Sequence, residues 1–183
     1  MNKQQKRPYS IEPYNEQWPI KFEIIKNELE EVFKDKALRI EHVGSTSVPG
    51  MKAKPMIDVL VIVPDLKDLA AEKSLMEAGG YTWQEDYIGP NTLVFVKTDN
   101  EGRKTENIHA CEIDSPKVDQ FLVIRDYLRT HPDQVKAYEA LKENLYTQFP
   151  DDYPAYRQGK NDFLEQLKTK AYQWHATLNN NHD

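Results

Sequence analysis

Phe22, Ile25, Leu29 and Val32 recur at helical spacing behind Pro19, which fits the first turn of a helix. Leu38 to Val43 then reads as a strand. Met56 to Val63, Met-Ile-Asp-Val-Leu-Val-Ile-Val, has the nearly continuous apolar character of a strand buried on both faces. A loop rich in Gly, Ser, Thr and Pro lies between these two strands. Pro64 ends the second strand, Asp65 is placed to cap a following helix, and Gly79-Gly80 closes that helix. Three shorter extended segments follow: Tyr81 to Gln84, Thr92 to Lys97, and Asn107 to Ile113. Asp99-Asn100-Glu101-Gly102 supplies turn chemistry between the last two.

From Ser115 the pattern changes to helix. Ser115-Pro116 is a cap followed by proline at the first helical position, and Phe121, Ile124, Tyr127 and Leu128 form an apolar stripe. His131-Pro132 interrupts, a second helix runs to about Phe149, and a last one covers Pro154 to Leu178. The order predicts an α+β protein: a mixed β-sheet flanked by helices, with a helical C-terminal third. No period repeats and no Gly- or Ser-rich linker divides the chain, so residues 8–178 are read as one domain, with residues 1–7 and 179–183 as flexible termini.

Composition narrows the functional classes. Among 183 residues, 24 Lys and Arg face 30 Asp and Glu, a formal charge of −6. That balance argues against an extended nucleic-acid surface, which needs clustered cations, but allows a basic pocket for one phosphorylated small molecule. Cys111 stands alone, so neither an internal disulfide nor a cysteine zinc site is expected, and a reducing cytoplasm is the simplest location. The polar start at Met1 to Arg7 does not read as a secretory signal, and no apolar run has membrane-spanning length.

Candidate chemistry concentrates between Arg39 and Val63. Gly44 and Ser45 follow a strand directly, in a loop that also holds Thr46, Ser47 and Gly50, where amides and hydroxyls can cradle a phosphate. Lys52 and Lys54 stand ready to offset its charge. Asp58 sits inside an otherwise apolar strand, where a carboxylate normally protonates, pairs or binds a metal. A structural acid paired to Lys54 or to backbone amides explains Asp58 equally well.

The run Arg39-Ile40-Glu41-His42-Val43-Gly44-Ser45-Thr46-Ser47-Val48-Pro49-Gly50-Met51-Lys52-Ala53-Lys54-Pro55-Met56-Ile57-Asp58 resembles the signature of the GrpB family. The resemblance extends to Tyr14 to Trp18, to Phe121 to Pro132, and to Tyr156 to Phe163. It implies a fold of the nucleotidyltransferase superfamily, of the DNA polymerase β type. Some actinobacterial relatives carry such a domain fused behind dephospho-CoA kinase. In that superfamily a Gly-Ser turn holds a triphosphate, while an acid-x-acid pair and a third acid bind two divalent metals. Carried to this chain, the resemblance implies Gly44, Ser45, Thr46, Lys54 and Lys160 on phosphate, Asp58 as a magnesium ligand, and His109 or Glu112 as the remaining ligand or base; an ion pair with Asp58 or another acid explains Lys160 equally well.

Two positions depart from the pattern. Residue 60, on the face of Asp58, is Leu60, so the second carboxylate is absent and Leu60→Asp becomes the substitution that would restore it. Asn107 replaces the first histidine of the His-x-His that relatives commonly carry, leaving His109. Glu112 lies on the opposite strand face and could serve only where the strand is irregular. His42 is read as a loop partner, Arg125 and Arg129 as a solvated face, and the tyrosines and tryptophans as packing. Three readings remain: a magnesium-dependent nucleotidyltransferase, a non-catalytic module for a nucleotide or CoA-type ligand, and a structural domain.

Overall fold

The computed structural model describes residues 9–67, 69–84 and 92–179. Its elements follow in the order α1 (Gln17–Phe33), β1 (Arg39–Val43), β2 (Ile57–Val63), α2 (Ala70–Ala78), β3 (Thr82–Gln84), β4 (Thr92–Thr98), β5 (Lys104–Glu112), α3 (Pro116–Thr130), α4 (Pro132–Gln148), α5 (Tyr153–Gln158) and α6 (Asn161–Asn179). The described strands form one sheet in the order β1-β2-β5-β4-β3, parallel only between β2 and β5. The sheet is mixed and the last third is helical, an α+β fold.

Strand alternation sorts the side chains onto two faces. Val59, Val61 and Val63 of β2, with Ile108 and Ala110 of β5, face α1 and α2, where Trp18, Phe22, Ile25, Leu29 and Phe33 complete the largest core. Val32 is only partly buried, and Phe33 takes the buried position at the end of α1 instead. On the opposite face Val43, Leu60, Ile62 and Cys111 pack against Val118 of α3. A third cluster joins α3, α4 and α6 to Val48 and Met51 of the β1–β2 loop. No helix among the described residues is long and apolar enough to cross a membrane.

Two local expectations are corrected. Asp65 does not cap α2: its Oδ1 accepts from the Lys67 amide in a turn, and the helix begins only at Ala70. The last helix is not continuous from Pro154 to Leu178. It breaks after Gln158, at Gly159, which passes so close to Leu145 of α4 that a Cβ would collide with that side chain. Asn179 closes α6; the predicted frayed ends at residues 1–7 and 180–183 lie outside the described residues.

Candidate functional site

Gly44 follows the end of β1 with φ 72° and ψ −174°, a conformation essentially confined to glycine. A Cβ here would stand 2.6 Å from Asp58 Oδ2. Ser45–Ser47 follow as a single 3₁₀ turn, braced by Ser47 Oγ donating to the Gly44 carbonyl at 2.6 Å. His42, on the α1 side, stacks on Phe22 with its ring plane 9° away. Its Nε2 lies 3.0 Å from Thr46 Oγ1, which in turn reaches the Met56 carbonyl at 3.3 Å. Burial pushes the His42 imidazole down to about 4 despite the nearby Asp58 charge, with Arg129 and Arg125 adding to the effect. A neutral ring then donates to Thr46, whose hydroxyl donates onward.

Asp58 and Asn107 stand opposite each other on parallel β2 and β5. Asn107 Nδ2 donates to Asp58 Oδ1 at 2.8 Å and lies 2.8 Å from His109 Nε2, while His109 Nε2 and Asp58 Oδ1 are 3.7 Å apart. The carboxylate fixes the amide orientation, because a flipped Asn107 would set oxygen against oxygen. Burial pushes the Asp58 carboxyl up, but His109, Asn107 and the charge of Lys54 outweigh it and hold the group below the usual carboxylate range. Asn107 Oδ1, His109 Nδ1 and the Tyr156 hydroxyl are buried without a hydrogen-bond partner among the described residues.

These groups open into a cleft of about 370 Å³ between the β2–β5 face of the sheet and the C-terminal helices. The structure brings together Gly44, Ser45, Thr46, Lys54, Asp58, His109 and Lys160 on its walls. Lys117, Lys142 and Arg157 join them, giving five cationic side chains against the one carboxylate of Asp58. Lys54 Nζ donates to Tyr153 Oη at 2.7 Å. Lys142 is 3% exposed, donates to the Lys52 carbonyl and lies over the Tyr138 ring; Lys160 lies over the Tyr156 ring. Neither makes an ion pair among the described residues. Burial, then the neighbouring cations, pushes Lys142 down to about 7 and Lys160 likewise to about 7.

Other candidates fall elsewhere. Glu112 pairs with Val63 at the far end of an unbroken β2–β5 register, five residues from the Asp58–Asn107 pair and so roughly 16 Å along the strand. Its Oε1 accepts from the Leu66 amide, outside the cleft. Lys52 points away to Glu143 at 2.5 Å. Arg125, its side chain 10% exposed, holds Glu41 at 2.7 Å, Asp126 at 2.8 Å and the His42 carbonyl and so braces the loop; Arg129 lies on the exposed face as expected and reaches the Ser47 carbonyl at 2.9 Å from there.

Sequence reasoning missed Lys117, Lys142 and Arg157, and it read Tyr138, Tyr153 and Tyr156 as packing alone. Lys142 had a signal: Tyr138, Lys142 and Leu145 stand at i, i+4 and i+7 on the buried face of α4. The residues do not fit a pair of magnesium ions. The cleft lining holds a single carboxylate and a single imidazole among cations, its other oxygen donors being neutral amides and hydroxyls, and imidazole suits magnesium poorly.

The sequence profile of a family described as GrpB protein matches residues 8–170. UPF0157 protein YqkA of Bacillus subtilis is 36% identical over 175 residues, covering 96% of this chain and 50% of its own length. This chain thus spans about half of that relative. Glutamate-rich protein GrpB of Alkalihalophilus pseudofirmus is 33% identical over 84% of this chain and 90% of its own. The crystal structure of a conserved protein GrpB from Enterococcus faecalis superposes with a TM-score of 0.86 at 28% identity, covering 91% of this chain and 99% of that one.

Proposed function

The chain belongs to the GrpB family, and from that premise we propose that its cleft binds a small phosphorylated molecule, a nucleotide or CoA-type compound, without resident metal. One observation carries the reading: Lys142 and Lys160, buried or half-buried and unpaired with any described carboxylate, line the same walls as Lys54, Lys117 and Arg157. Burying cations without counter-charge is costly, and an anionic ligand offsets that cost. The Gly44-Ser45 turn beside Asp58 supports a nucleotidyltransferase-like fold, which belongs to the same proposal. Nucleotidyl transfer itself would call for a second carboxylate beside Asp58, and binding is therefore the preferred reading.

Titration calorimetry of the full chain with pyrophosphate and with ATP tests it. Both ligands are expected to bind in EDTA as well as in magnesium. Lys160→Ala and Lys142→Ala should each weaken binding about 10- to 100-fold, the worth of one charge-assisted hydrogen bond. Heat that appears only with magnesium would return the cleft to metal chemistry, and no heat under either condition would leave a structural domain.

The two lysines also set a pH dependence. Between about 7 and the ordinary 10.5, each holds fewer protons in the folded protein than in the unfolded chain. The ligand-free protein therefore gains stability as pH rises through that window. Anion binding runs the other way, because the bound ligand favours charged lysines. Sulfate, whose charge is constant over this range, should bind more weakly at pH 9 than at pH 6, with proton uptake on binding near pH 8. Calorimetry in buffers of different ionisation heat measures that uptake. Sulfate affinity that is flat across pH 6–9 would show that these lysines do not touch the anion.

A further inference from the structure

A second cavity of about 190 Å³ opens beside the basic cleft. The two share Gly44, Ser45, Gln120, Phe121, Tyr138 and Leu164, so one space runs from the five cations into the helical layer. The character of the wall changes along the way. Ile124 and Leu128 of α3 line this second chamber, which stays partly open to solvent, together with the shared Phe121 and Leu164. Arg125 also borders it, but its guanidinium is committed to Glu41, Asp126 and the His42 carbonyl. The chamber therefore offers apolar surface and no uncommitted charge.

We infer that the ligand is a phosphomonoester-type anion whose organic group is apolar and ring-sized, with its phosphoryl among the cations and its ring in this chamber. The inference rests on the reading of the cleft given above and deepens it. Size sets the class. An apolar cavity of about 150 Å³ holds benzene, so this chamber takes one substituted ring or a short branched chain, not a long acyl chain. Continuity sets the orientation, because the shared Gly44, Ser45 and Gln120 stand where head and ring would join. Leu164 fixes the chamber from the start of α6, which begins anew after the break at Gly159; Lys160 belongs to that break, so the same turn brings a cation and an apolar wall together.

Calorimetry on the full chain with inorganic phosphate, glycerol 1-phosphate and phenyl phosphate separates the terms at constant head-group chemistry. Phenyl phosphate is expected to bind at least about tenfold more tightly than the other two, the gain from burying one ring. In Ile124→Trp, which fills the chamber, the ratio of phenyl phosphate to phosphate affinity should fall to about one, with thermal unfolding reporting that the variant is folded. Equal affinities for all three probes in the wild-type chain overturn the inference and leave the cleft reading standing. A phenyl advantage that survives in folded Ile124→Trp overturns it too. Should that variant not fold, the wild-type series decides alone. Failure of all three probes to bind removes the cleft reading, and this inference with it.

Discussion

Leu60→Asp is expected to unfold the protein rather than complete a metal site. The sequence presents residue 60 as the place of a missing carboxylate, two positions from Asp58 on the same strand face. Leu60 is 0% exposed and packs with Val43, Ile62, Cys111 and Val118, beneath α3 and away from the cleft opening. Loss of the leucine side chain alone costs about 2–5 kcal/mol. A buried carboxylate adds to that cost, even with His109 opposite residue 60 in the β2–β5 register. Against a total stability of about 5–15 kcal/mol, that sum leaves little or no folded protein. Leu60→Ala is the control and should keep a cooperative denaturant transition lowered by about 2–5 kcal/mol. A folded Leu60→Asp that binds magnesium would show that the strand face opens to the cleft after all.

Gly44→Ala is expected to damage stability and site together. Gly44 adopts a backbone conformation nearly closed to other residues, which costs about 1–3 kcal/mol when a side chain is forced into it. The added methyl would also press on Asp58 Oδ2 and Cβ, at 2.6 and 3.0 Å. Relief requires Asp58 to turn away, which breaks its bond to Asn107 and moves the one acid in the cleft. A loss of about 2–4 kcal/mol lowers the midpoint of thermal unfolding by on the order of 10 °C. Titration with pyrophosphate should show weakened binding even well below the new midpoint. A Gly44→Ala chain with wild-type melting and wild-type affinity would mean that the turn is not the rigid support of the cleft.

Local signals made much of the fold legible. The apolar run of β2 is buried throughout except at Asp58, and Ser115-Pro116 starts α3 where capping chemistry places it. Most of the candidate loop was legible too, because Gly44, Ser45, Thr46, Lys54 and Asp58 sit within 15 residues and must converge once β1 pairs with β2. Long-range contacts were not. Nothing local says that Gly159 passes against Leu145, so the helix break that delivers Lys160 was hidden inside an apparently continuous helix. Lys52 and Lys54 look alike in sequence; Glu143, 91 residues later, decides that Lys52 turns outward. Asn107 looked like a lost histidine, whereas its amide bridges Asp58 and His109.

The β1–β2 loop is held largely by residues made long after it. Arg129 grips the Ser47 carbonyl across 82 residues, Glu139 receives the Lys52 amide across 87, and Tyr153 meets Lys54 across 99. At a synthesis rate of about 5–20 residues per second, the loop waits roughly 4–20 s for these partners. The sheet's β1–β2 pairing closes early, since its strands are near neighbours, while contacts of such high sequence separation form slowly. On a ribosome the molecule therefore acquires its sheet before it acquires its cleft. A nascent chain has no complete cleft until its C-terminal helices have been made.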